Sequence, residues 1–121
     1  MKSLLLSVLV ALTYVSGSQA AANADPPADS ARANETVFDR NKGAIYALYA
    51  RALRDRPGLA GKIVFEIDID AAGAPAACRV KSSQLHAPEF ENQLCERIRL
   101  FRFAPQAPNT FTKELTLVSA A

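Results

Sequence analysis

From Lys62 to Asp70 the chain alternates without a fault, with Ile63, Phe65, Ile67 and Ile69 on one side and Val64, Glu66, Asp68 and Asp70 on the other. A period of two is that of a strand with one buried face. Asp70-Ala71-Ala72-Gly73 is turn chemistry, with Gly73 free to take positive φ, and it leads to a second predicted strand over about Ala77 to Ser83. There Cys78, Val80 and Ser82 are expected on one face and Arg79, Lys81 and Ser83 on the other, so the pair forms a hairpin with Cys78 facing inward. Alternation returns from Thr110 to Val118 through Phe111, Lys113, Leu115 and Leu117, a third strand.

Helical spacing fills the remaining stretches. Phe38, Ile45, Leu48, Tyr49, Ala52 and Leu53 recur at steps of three and four, while Arg51 and Arg54 fall on the opposite side. Thr36, Asp39 and Asn41 are each suited to cap this helix, and Pro57-Gly58 ends it. A second helix opens at Pro88, a residue favoured at the first helical position, with Glu89 and Glu91 near the positive end of the dipole. Phe90, Leu94, Ile98 and Phe101 form its apolar stripe. The order helix, strand, strand, helix, strand, with one apolar face per strand, predicts an α+β fold. It consists of a three-stranded antiparallel sheet with two helices packed on one side.

The N-terminus carries a different pattern. Lys2 precedes an apolar stretch from Leu4 to Val15, and Ser16 to Ala20 supply small residues, the arrangement of a secretory signal cut after Ala20. About a dozen apolar residues fall short of the roughly twenty a spanning helix needs; an uncleaved short anchor is the competing reading. Residues 21–36 are Ala, Asp, Pro, Asn and Ser-rich and read as a flexible leader, which leaves 37–121 as one domain. Loss of residues 1–20 removes one cation and leaves thirteen Lys and Arg against twelve Asp and Glu. That balance offers no case for nucleic-acid binding, and Arg97, Arg99 and Arg102 suit a helix C-terminus. The expected location is the periplasm.

Several short runs resemble a known family. The stretch V-F-D-R-N-K-G-A-I-Y-A-L-Y over 37–49, followed by Arg51-Ala52-Leu53-Arg54 and Pro57-Gly58-Leu59, resembles the start of the C-terminal domain of AgmX/PglI-type, TonB-like proteins. Gly61-Lys62-Ile63-Val64 is similar to the opening of its first strand, Ala72-Gly73 to its hairpin turn, and Cys78-Arg79-Val80 with Ser82-Ser83 and Leu85 to its second strand. Arg97-Ile98 and Phe101-Arg102-Phe103 are similar to the end of its second helix. The resemblance spans Val37 to about Val118. It implies the TonB C-terminal fold and a protein-binding module of the cell envelope, associated with transport or gliding motility, that receives a partner's strand beside its own sheet. A leader of about sixteen residues reaches only about 55 Å when extended, which suits an adaptor or assembly factor better than an energy transducer.

The candidate partner-binding site is the end strand, Thr110, Phe111, Thr112, Lys113, Glu114, Leu115 and Thr116, because an outer strand offers unpaired N–H and C=O groups to an incoming segment. The alternative is that Lys113 and Glu114 protect this edge and that the domain is a structural or stress-related protein without a pairing surface. The partner is expected to be an envelope protein. Cys78 and Cys95 form an even pair in an oxidising compartment and are expected to bond; two buried free thiols are the alternative. Cys78 falls on a position of the resembled family and Cys95 departs from it. No catalytic residues, metal or cofactor are expected: His86 stands alone in a loop, no nucleophile elbow or phosphate loop occurs, and Cys78, His86 and Cys95 lack metal-ligand spacing. Asp68 and Asp70 read as a solvated hairpin end.

Overall fold

The structure, a computed structural model, describes residues 24–119; the segment read as a signal, residues 1–20, lies outside them. Its elements are α1 (Ala28–Arg40), α2 (Lys42–Asp55), β1 (Gly61–Ile69), β2 (Pro75–Ser83), α3 (Pro88–Ile98) and β3 (Asn109–Leu117). The alternation in β1 does what it predicts. Ile63, Phe65 and Ile67 are wholly buried while their neighbours remain half-exposed. β1 is the central strand of an antiparallel sheet ordered β2-β1-β3. The helices lie on its apolar side, and the class is α+β.

Three helices are present where the pattern predicts two. α1 occupies Ala28–Arg40, so the segment expected to be flexible through residue 36 is helical from Ala28 onward. Its packed stripe is Ala31, Asn34, Val37 and Phe38, of which the first two carry little apolar signal. Asn34 is fully buried and exchanges side-chain amide bonds with Gln106, at 3.3 and 3.0 Å, which binds α1 to the loop before β3. The single predicted helix is also divided at Asn41. Its backbone N–H donates to the carbonyls of Val37 and Phe38, and its Nδ2 donates to that of Val37 at 2.7 Å, closing α1 before α2 starts. Phe38 therefore belongs to α1, and Ile45 and Tyr49 to α2.

The core joins these layers. Phe38 meets Phe101 edge-on with ring centroids 5.2 Å apart and lies 6.1 and 6.0 Å from Phe103 and Phe111, distances typical of favourable aromatic pairs. Phe101, expected on the stripe of the second helix, is buried just beyond the end of α3 at Ile98. Midway along α2, buried Tyr49 donates its hydroxyl to the Leu59 carbonyl, and burial pushes its phenol pKa upward.

The hairpin between β1 and β2 depends on Asp70 and Gly73. Asp70 Oδ1 accepts from the N–H of Ala72 at 3.0 Å and of Ala74 at 2.9 Å, so this carboxylate organises the turn. Gly73 has φ +87°, and a Cβ there would strike the Phe103 carbonyl. On the second strand the register shifts between Val64 and Phe65 and again between Asp68 and Ile69. The first shift overturns one expected face. Phe65 is opposite Val80 and Ile63 opposite Ser83, so Ser83 joins Cys78 and Val80 on the helix side and Ser82 is exposed. An extra residue reverses the alternation after it, and Ser83 Oγ donates to Glu91 Oε2 of α3 at 2.9 Å.

Candidate functional site

β3 pairs with β1 alone and lies at the outer edge of the sheet. Its register with β1 runs from Ile69 opposite Asn109 to Gly61 opposite Leu117 without a shift. In an antiparallel pair, successive residues direct their backbone groups alternately toward and away from the neighbour. The phase is set by Thr110, whose N–H donates to the carbonyl of Ala24 at 3.0 Å instead of to β1. Thr112, Glu114 and Thr116 share that phase, so their N–H and C=O groups point outward, whereas Phe111, Lys113, Leu115 and Leu117 hold the ladder to β1. Among the described residues, Ala24 is the only backbone partner outside the ladder for this strand.

The side chains of the seven candidate residues divide between two faces. Phe111 is buried and Lys113 and Leu115 are half-buried on the helix side. Thr112, Glu114 and Thr116 are exposed on the open side, and Thr110 Oγ1 donates to Asp68 Oδ1 at 2.8 Å. The two charges expected to guard the edge are both turned aside. Lys113 Nζ lies 2.6 Å from Glu35 Oε1 of α1 and 5.6 Å from the centre of the Phe38 ring, and Glu114 leans back over the sheet to Lys62 of β1 at 3.5 Å. Neither carries its charge out past the strand as an edge guard does.

The open face of the sheet is polar and cross-linked. Arg79 of β2 reaches Asp68 through two hydrogen bonds, at 2.9 and 3.1 Å, and approaches Glu66 at 3.5 Å. The Arg79 hydrogen bond holds the Asp68 carboxyl below its ordinary pKa, with Thr110 adding to the effect against the opposing cost of burial. Asp68 and Asp70, read as a solvated hairpin end, are thus both engaged, one across all three strands and one inside the turn.

β2 forms the other edge. Cys78 of β2 and Cys95 of α3 bring their sulfurs to disulfide distance, with Cα atoms 5.5 Å apart, within the range that native bridges use. His86 is exposed beside this region with φ +52°, and its carbonyl accepts from Arg56 Nη1 at 3.2 Å. The alternation of β3 gives no indication of its neighbours: Glu35 and Phe38 reach it through the packing of α1, and Ala24 through a main-chain bond from the segment that precedes that helix. Among the described residues no helix is long and apolar enough to cross a membrane. In comparison with known proteins, no family model, curated protein or solved structure matches this chain.

Proposed function

We propose that the chain is an exported protein-interaction module of the cell envelope that binds an extended segment of a partner protein by strand addition along β3. The observation that carries this reading is the row of outward backbone groups at Thr112, Glu114 and Thr116 on an unbulged outer strand whose nearby charges are drawn back. An added strand satisfies those groups through main-chain bonds, and its alternate side chains supply selectivity. Export rests on the Lys2, Leu4 to Val15 and Ser16 to Ala20 pattern, and the resemblance to TonB-like C-terminal domains suggests the same manner of binding. The strand, strand, helix, strand order with helices on one face is compatible with that family's fold.

A second reading, a structural or stress-related periplasmic protein without pairing function, is favoured by one contact: Ala24 already occupies the first outward amide of the edge. Proline substitution separates the two. Thr112→Pro or Glu114→Pro removes an outward N–H and leaves the ladder to β1 intact, the setting in which a sheet tolerates proline. We expect each variant to fold and to lose partner recovery in a pull-down from envelope extract. Recovery equal to that of wild type by a folded variant would rule out strand addition at β3.

A further inference from the structure

Beside the outward amides of β3, on the helix side of the sheet, is a groove of about 140 Å³ between Phe38, Ile45, Tyr46, Leu115 and Leu117. Resting on the strand-addition reading, we propose that this groove is its specificity pocket, taking one aliphatic or aromatic side chain from the partner's added strand. The occupant follows from what forms the groove's wall. One side is β3 itself, whose free main-chain groups are matched by an extended backbone, and alternate residues of a strand laid there point to the helix side. The side chain beside Leu115 then enters the groove.

Size and surface agree with this. A single water needs only about 10–15 Å³ of such space, so the groove holds a group several atoms larger. Tyr46, 47 % exposed, borders it, and Val118, 71 % exposed, directly follows β3. Two of the three large exposed apolar residues among the described ones therefore lie at the same end of this edge. Lys113, which lines the groove, is held by Glu35, and Asp39 and Lys42 at the rim carry opposite charges. The opening thus has no net sign to select a charged side chain.

The test uses isotope-labelled protein as recovered from cells and threonine-rich synthetic peptides of about seven residues, the length of a typical strand, whose central residue is Leu, Phe, Ser or Asp. Amide shifts at Thr112, Glu114 and Thr116 report main-chain pairing, and the dissociation constant for each peptide reports the pocket. We expect the Leu and Phe peptides to bind at least about tenfold more tightly than the Ser peptide, and Tyr46→Ala to reduce that preference without abolishing the amide shifts. Equal affinity for all four peptides, with the amides still shifting, would overturn the pocket and leave strand addition standing. No amide shift with any peptide would overturn both. Concentration-dependent shifts of the same amides without peptide would assign the edge to a second copy of this chain and reject the partner strand.

Discussion

The two outer strands have the same length and the same central partner, yet their free sides are built differently. β2 meets β1 with two shifts of register, and Cys78 places it at bonding distance from Cys95 of α3. β3 meets β1 through nine unshifted pairs and is held to the helices mainly by side chains: Phe111 against Phe38, Lys113 to Glu35. Bulges twist a strand and interrupt its hydrogen-bonding row, one of the ways proteins keep edges from pairing. A flat register does the reverse. The contrast teaches that the β2 side is irregular and tied toward α3, whereas the β3 side keeps an unbroken row of pairs, the side on which the proposed addition would fall.

The largest way to break that contrast is to release β2. Closing a loop of 17 residues between Cys78 and Cys95 contributes roughly 3 kcal/mol in the chain-entropy model. Replacing both with Ser should lower stability by about that amount, read by urea unfolding with and without reductant, while partner recovery through β3 persists in the folded fraction. Wild type unaffected by reductant, or showing two alkylatable thiols in its native state, would mean that β2 is not tied covalently.

The next effect tests the alternation of β3 itself. Lys113→Pro removes an N–H that serves β1, leaves a carbonyl of the central strand without its donor and breaks the Glu35 ion pair; a loss of about 2 kcal/mol or more is expected. Thr112→Pro removes an outward N–H and should cost about 1 kcal/mol or less. Unfolding midpoints of the two variants compared side by side check the phase of the strand. Equal losses would contradict the outward direction assigned from the Thr110 bond to Ala24.

How much of this contrast the sequence discloses depends on the range of the forces involved. The strand faces of β1 and β3 and the Asp70 to Gly73 turn are local consequences of spacing and φ preference, and they are legible. The division of the first helix at Asn41 is not, since Phe38 and Ile45 continue one another's stripe in sequence. α1 escapes notice because its buried face includes Ala31 and Asn34, and Asn34 becomes a core residue only when Gln106, 72 positions away, completes its hydrogen bonds. The bulges in β2 are likewise hidden: moving Ser83 inward depends on Glu91 of α3. For the candidate site, the strand is visible, but the direction of Lys113 is a tertiary matter, and a charge that reads as an edge guard turns out to face a helix.

The smallest predicted effect links the two edges. Asp68 accepts from Arg79 of β2 and from Thr110 of β3, so one carboxylate on β1 ties both outer strands across the open face. Because the Arg79 bond lowers its folded pKa, the folded protein takes up a proton at this site less readily than the unfolded chain. The resulting stabilisation is fully present above the ordinary carboxylate pKa of about 3.9 and is lost as the pH falls through the lowered folded value. The group is partly exposed, with its side chain at 31 %, so solvent screening keeps the contribution small. Asp68→Asn should cost less than about 1 kcal/mol at neutral pH, and the difference from wild type should shrink as the pH is taken below about 4. A constant difference across an acid series of urea unfolding curves would show that the carboxylate acts through its shape and hydrogen bonds and not its charge. In that case the polar face would couple the two edges by geometry alone, and the β3 edge would keep its register even in acid.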